Sequence, residues 1–245
     1  MAFFRCDVMS ESLGMATSVL VTMPDTGDLA AAPVVYLLHG LTDNCTGWLR
    51  YTQAEHLART HGAILIVPEV QRSFYTDMVC GPKYFTYINQ ELPTLCRRFF
   101  GIQPVPERTY IMGLSMGGYG AMKCAFTAPQ QYAGCAGFSS VAEIQAELPQ
   151  LCRWHEDQAI FPHGIVPPQD DLFDLVEKFR DGTCPMPRLF LACGQQDSLY
   201  PANLRLRDTL QAMNWPLTWY EAPGDHNWFF WNDALGRAMK ELLEN

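Results

Sequence analysis

The stretch Tyr110-Ile111-Met112-Gly113-Leu114-Ser115-Met116-Gly117-Gly118-Tyr119-Gly120-Ala121 decides how this chain is read. It runs as a short apolar strand, then Gly-x-Ser-x-Gly, then a helix rich in small residues. A serine between two such elements sits on a turn tight enough to strain its dihedrals. Gly113 and Gly117 flank it because side chains there would collide with the neighbouring strand and helix. The turn lifts the Ser115 hydroxyl above the carboxyl end of a sheet. It also leaves the Met116 N–H at a helix N-terminus, where it can donate to a developing oxyanion.

Working outward, residues 33–40, 63–68, 108–114, 135–140, 187–194 and 217–221 are short apolar runs of the kind that fill strands buried on both faces. Helical patterns lie between and after them, over 48–61, 83–100, 117–127, 201–213 and 228–243. Gly62 is placed to cap the first of these, and Tyr84, Ile88, Leu92 and Leu95 share one face of the second. Residues 2–9 and 15–23 alternate and read as an antiparallel start. The pattern predicts an α/β fold: a mostly parallel central sheet with antiparallel N-terminal strands and helices on both faces. One domain over 1–245 is expected, with a cap-like insertion at about 141–185, where prolines and histidines break the periodicity.

Ser115, Asp197 and His226 each follow a predicted strand, in the chain order Ser, Asp, His. A serine hydroxyl is a weak nucleophile at neutral pH. An imidazole can take its proton and return it to the leaving group, and a buried carboxylate fixes the imidazole tautomer. Asp225 adjoins His226 but cannot readily reach its ring edge. Asp170, Asp171 and Asp174 lack a preceding strand. Asp197 read only as a helix cap is the plainer alternative. The loop His39-Gly40-Leu41-Thr42-Asp43-Asn44 leaves a central strand, and the Leu41 N–H is the expected second oxyanion donor. Asn44 or Thr46 could instead cap the next helix, and His39, inside the strand end, is expected to be structural. Asn44, Trp48, Phe74, Tyr75 and Trp228 are expected around the substrate pocket, the aromatic rings narrowing its mouth. The loop that holds Phe74 and Tyr75 reads equally well as one anchored by Arg72 and Asp77.

A hydrophobic content of 48% is that of a globular chain, and a net charge of -9 argues against nucleic acid as a partner. No apolar run approaches the length of a membrane span, so no membrane partner is expected. Nine cysteines, odd in number and with no CxxC, predict free thiols, a cytoplasmic location and no metal. A homo-oligomer is compatible with the sequence, but no interface stripe is readable.

Together, His39-Gly40-Leu41-Thr42-Asp43, Arg72-Ser73-Phe74-Tyr75-Thr76-Asp77, the stretch 113–121 and Gly224-Asp225-His226-Asn227-Trp228 resemble the tributyrin esterase family, within the esterase D-like group of α/β-hydrolases. The resemblance spans most of the chain. It implies a serine carboxylesterase that hydrolyses short-chain acyl esters without a cofactor. It places the triad on Ser115, Asp197 and His226, and the oxyanion donors on Leu41 and Met116. The expected substrate is a small-molecule or carbohydrate-borne ester. S-formylglutathione hydrolases are similar but carry histidine before the serine and in a following Gly-Gly-His-Gly, where this chain has Leu114 and Gly118-Tyr119-Gly120. Acetyl-xylan and feruloyl esterases are further alternatives, and a catalytically inactive binding protein on the same fold is the non-enzyme one.

Overall fold

Eight segments join into one sheet in the computed structural model, which describes residues 1–244. They are β1 (Ala2–Ser10), β2 (Met15–Met23), β3 (Val34–Leu38), β4 (Ile64–Pro68), β5 (Thr109–Leu114), β6 (Gly134–Phe138), β7 (Arg188–Gly194) and β8 (Leu217–Ala222). Their order across the sheet is β1-β2-β4-β3-β5-β6-β7-β8. β1 and β2 form an antiparallel hairpin, β2 runs antiparallel to β4, and every neighbouring pair from β4 to β8 is parallel. This is the architecture expected from the alternation of apolar runs and helices, and it is an α/β-hydrolase fold. The register sets Leu38 opposite Gly113 and Leu114 opposite Phe138, so the carboxyl ends of β3, β5 and β6 are level.

Every residue of β3, β4, β5 and β6 is buried. Successive strand residues point to opposite faces, so each strand feeds two cores. Tyr36, Leu38, Ile64, Ile66 and Ile111 face the layer that holds the helices Leu92–Phe100, Met116–Thr127, Leu172–Glu177 and Tyr200–Ala212. Val35, Leu37, Leu65, Val67 and Met112 face the layer built from Gly47–Tyr51, Ala54–Thr60 and Trp228–Leu243. Each of the Val, Leu, Ile and Met side chains among them contributes about 1.5–3 kcal/mol when fully buried. The helix Met116–Thr127 is buried from Met116 to Phe126, as its run of small residues permits.

Two helices differ from their sequence patterns. The helix expected over 48–61 is broken into Gly47–Tyr51 and Ala54–Thr60. Thr52 is extended there; its hydroxyl donates to the Trp48 carbonyl and accepts from the Ala54 N–H. This is the local competition that hydroxyl side chains offer a helix. The pattern over 83–100 holds in outline but contains a π-helical turn, Tyr87–Glu91. The Glu91 carboxylate on that turn accepts from Ser10 Oγ and from the N–H groups of Glu11 and Ser12, tying down the β1–β2 hairpin.

The irregular region between β6 and β7 folds as the short helices Ile144–Leu151, Asp157–Ile160 and Leu172–Glu177. Ile144, Leu148, Ile160, Phe161, Leu172 and Val176 enter the same core as the helix after Ser115. A buried polar cluster fastens the two. The Lys123 ammonium pairs with Asp170 and donates to Thr76 Oγ1, and the Tyr119 hydroxyl donates to the Asp170 carbonyl at 2.6 Å. Burial lowers the pKa of Lys123, and the Asp170 carboxylate opposes that pull. A lysine so deep is tolerable only because it is paired and hydrogen-bonded.

Candidate active site

Leu114 ends β5 and Met116 begins the next helix, leaving Ser115 to turn the chain alone, with φ 53° and ψ -117°. Such a backbone costs on the order of 1–3 kcal/mol and persists only where its surroundings hold it. Here the Ser115 N–H donates to the Phe138 carbonyl at 2.8 Å, and the Ser115 carbonyl accepts from Val141 and Tyr119. The flanking glycines are steric necessities. A Cβ on Gly113 would lie 2.3 Å from the Gly117 carbonyl oxygen, and one on Gly117 would lie 2.4 Å from that of Leu38.

The loops that leave neighbouring strands complete the arrangement. Asp197 follows β7 and His226 follows β8. His226 Nδ1 lies 2.9 Å from Asp197 Oδ2, and His226 Nε2 lies 3.1 Å from Ser115 Oγ. An ionised carboxylate only accepts, so Nδ1 carries the proton and the Nε2 lone pair faces the hydroxyl. The Asp197 side chain is fully buried, whereas a third of the imidazole is exposed. Burial alone would push the Asp197 carboxyl up. The Nδ1–H hydrogen bond of His226, the Leu199 N–H and the Ser139 hydroxyl together hold it below the usual carboxylate range. Both readings of Asp197 apply, since its Oδ1 accepts from the Leu199 N–H at the entry to the next helix. Asp225 does not compete, because its carboxylate accepts from the backbone N–H of His226.

The Leu41 and Met116 N–H groups donate to no other protein group among the described residues. The loop that carries Leu41 is held by its neighbours. The Asp43 N–H closes a turn onto the Gly40 carbonyl, and Trp48 Nε1–H donates to the Leu38 carbonyl. His39 is completely buried; its Nδ1 donates to the Gly40 carbonyl at 2.8 Å and its Nε2 accepts from the Val70 N–H at 3.2 Å. It joins two loops and makes no hydrogen bond to Ser115 among the described residues.

The expected pocket aromatics divide. Phe74 and Tyr75 do not line a mouth. Both have no exposed surface, and both take left-handed backbone angles (φ 49° and 51°) that turn them inward. The Tyr75 hydroxyl donates to the His39 carbonyl. Their loop follows the anchored reading: Arg72 pairs with Glu156, and Asp77 accepts from the N–H and hydroxyl of Thr86. Trp48 is also fully buried, edge-on to Phe138 and Trp228. Asn44 is exposed, and its side chain accepts from the Thr46 N–H and hydroxyl. Trp228 is half-buried beside His226 and packs on Tyr51 and Trp231.

Two groups around the imidazole went unread in the sequence. Trp231 stands edge-on to the His226 ring, with centroids 4.8 Å apart, and donates from Nε1 to Ser139 Oγ at 3.1 Å. The signals available were a tryptophan one helical turn after Trp228 and a serine at the end of a strand. Among the described residues, no three His, Cys, Asp or Glu side chains group so as to hold a metal ion.

A sheet of this topology, with a serine on the turn after β5 aligned to an imidazole and a carboxylate, defines the class of α/β-hydrolase serine esterases. Residues 10–176 match the family described as "Putative esterase", and the chain belongs to that family. It is similar to an acetyl esterase of Caldicellulosiruptor saccharolyticus, 27% identical across 98% of this chain and 97% of that one. Among solved structures it resembles the substrate-bound fluorophosphonate-binding serine hydrolase F of Staphylococcus aureus, with TM-score 0.90, 30% identity and 100% and 99% of the two chains covered. It also resembles an S-formylglutathione hydrolase of the same organism, with TM-score 0.89, 30% identity and 99% and 98% coverage. The chain is a serine carboxylic ester hydrolase.

Proposed function

We propose that this chain is a short-chain acyl esterase of the tributyrin esterase kind, with Ser115 as nucleophile. The hydrogen-bonded line from Ser115 Oγ through His226 to Asp197, at 3.1 and 2.9 Å, carries the reading. Ser115 Oγ bonds to the ester carbonyl carbon while His226 Nε2 takes its proton. The carbonyl oxygen becomes an oxyanion against the free N–H groups of Leu41 and Met116. The C–O bond breaks, and the alcohol departs with the proton from Nε2. Water, losing a proton to Nε2, then releases the acid and restores Ser115. Asp197 stays ionised throughout and holds Nδ1–H.

The acetyl esterase named above, matched along nearly its whole length, supports a small acyl group. Asp43 favours neutral substrates, including carbohydrate-borne esters. It is half-buried on the loop that carries Leu41, and a carboxylate there repels anionic groups. A thioester substrate is the second reading, favoured by the S. aureus S-formylglutathione hydrolase. The departure at Tyr119 does not by itself separate the two. That side chain is fully buried and committed to the Asp170 carbonyl, so it alters packing beneath the site.

The test is a series of p-nitrophenyl esters from acetate to octanoate, with S-formylglutathione and methyl ferulate alongside. The expected kcat/KM is highest from acetate to butyrate and falls by about tenfold or more at octanoate. A maximum at octanoate, or thioester turnover dominating the series, would overturn the assignment.

A further inference from the structure

The outer edge of β1 has no neighbouring strand among the described residues. β1 is nine residues long, and the side chains on one of its faces are uncovered: Phe3 is 52% exposed, Met9 is 72% exposed, and Arg5 and Asp7 between them are exposed. The other face carries Val8, buried in the core, with Cys6 half-buried against it. A long edge strand offers unpaired N–H and C=O groups to any strand that can match it, and a soluble chain must block or use that edge. β1 contains no proline or glycine that would block it.

We propose that β1 pairs antiparallel with β1 of a second copy of this chain, joining two sheets into one across a two-fold axis through Cys6. Directly opposed residues of an antiparallel pair point to the same face, so a two-fold pairing must match residues of the same parity. That leaves three registers with substantial overlap, centred on residues 5, 6 and 7. Centring on Arg5 sets Arg5 against itself, and centring on Asp7 sets Asp7 against itself. Like charges directly opposed are destabilising. Centring on Cys6 sets Arg5 against Asp7 of the second copy, twice by symmetry. The same register sets Phe3 against Met9 and Phe4 against Val8. One shift thus joins opposite charges, matches apolar to apolar and gives the greatest overlap of the strand. The Arg5 guanidinium makes no hydrogen bond or ion pair within the chain among the described residues, whereas Asp7 accepts from Ser18 Oγ and keeps lone pairs to spare. The interface is isologous and closes on itself, so it yields a dimer and not a fibre.

The experiment is molar mass by light scattering and sedimentation on the whole chain at tens of micromolar, with charge reversals at the two positions. The wild type is expected at twice the 27.7 kDa of one chain. Arg5→Glu and Asp7→Lys should each weaken association by about tenfold or more, since each sets two like-charged pairs face to face. The double variant Arg5→Glu/Asp7→Lys restores the complementarity and should recover the dimer. Ester turnover per chain reports that each variant is folded. A second readout uses Cys6, whose Cα would lie about 4.5–5.5 Å from its symmetry mate, within reach of a disulfide. Diamide, taking two electrons and two protons from the two thiols, should cross-link the wild type and fail with Cys6→Ser. A wild type that stays at the mass of one chain, a dimer indifferent to either reversal, or a double variant no better than the singles would each overturn the proposal.

Discussion

Asp197 meets two demands with one side chain: Oδ1 receives the Leu199 N–H and Oδ2 receives His226 Nδ1–H. Asp197→Asn keeps the first contact and spoils the second, because an amide presents either a neutral acceptor or a donor to the imidazole. The expected result is a fall in kcat of about 10⁴-fold, the order seen when the acid of a serine hydrolase becomes its amide. Unfolding measured in parallel should show the variant folded. At this scale the grouping of Ser115, Asp197 and His226 was legible, because each residue type stands at a predicted strand end. It was not legible at Phe74 and Tyr75. Bulky residues rarely take positive φ, and nothing in the local sequence announces that both do so here. Tyr75 reaches under the elbow helix, where a Cβ on Gly120 would lie 2.4 Å from its ring.

The loop after β4 shows what holds an element to its neighbours. Glu69 accepts from the N–H groups of Cys45 and Gln71 and lies 3.5 Å from His39 Nε2, bracing the loop that carries Leu41. Burial would raise its pKa, but the N–H groups of Cys45 and Gln71 oppose burial and hold it below the usual carboxylate range. A carboxyl whose folded pKa lies below its unfolded one stabilises the fold above the unfolded value, and that contribution is lost as pH falls through the folded value. The window therefore lies below about pH 4.5, the unfolded value. Glu69→Gln is expected to lower stability at pH 7 and to lose less stability than the wild type on acidification through that window, as measured by denaturant unfolding at each pH. Equal acid losses in the two proteins would contradict this. Helix periodicity found the helical regions but not their interruptions. The break at Thr52 comes from one hydroxyl bonding to its own backbone, and the π turn over 87–91 coincides with the tie from Glu91 to the hairpin. Both are contacts that an apolar pattern does not encode.

On the scale of the whole molecule, alternation of apolar runs and helices was enough to read the parallel sheet, because strands buried on both faces must be apolar throughout. The strand order β4-β3-β5 then sets the loop after β3 beside the turn after β5, at the point where the winding of the sheet reverses, and β7 and β8 bring Asp197 and His226 to the same end. Such switch points are where open α/β sheets form their crevices. The segment between β6 and β7 was unreadable in detail because a buried ion pair, Lys123 with Asp170, joins parts of the chain far apart in sequence. The free edge of β1 was invisible as an interface until the strand order made it an edge. The central claim is that one serine, held on this turn, performs the chemistry. The most direct measurement is labelling with a fluorophosphonate, followed by peptide mass spectrometry and ester turnover. The account predicts one adduct per chain, on Ser115, with turnover lost in step, and a folded Ser115→Ala that is unlabelled and slower by about 10⁴-fold or more. An adduct on another residue, or Ser115→Ala retaining turnover, would contradict it.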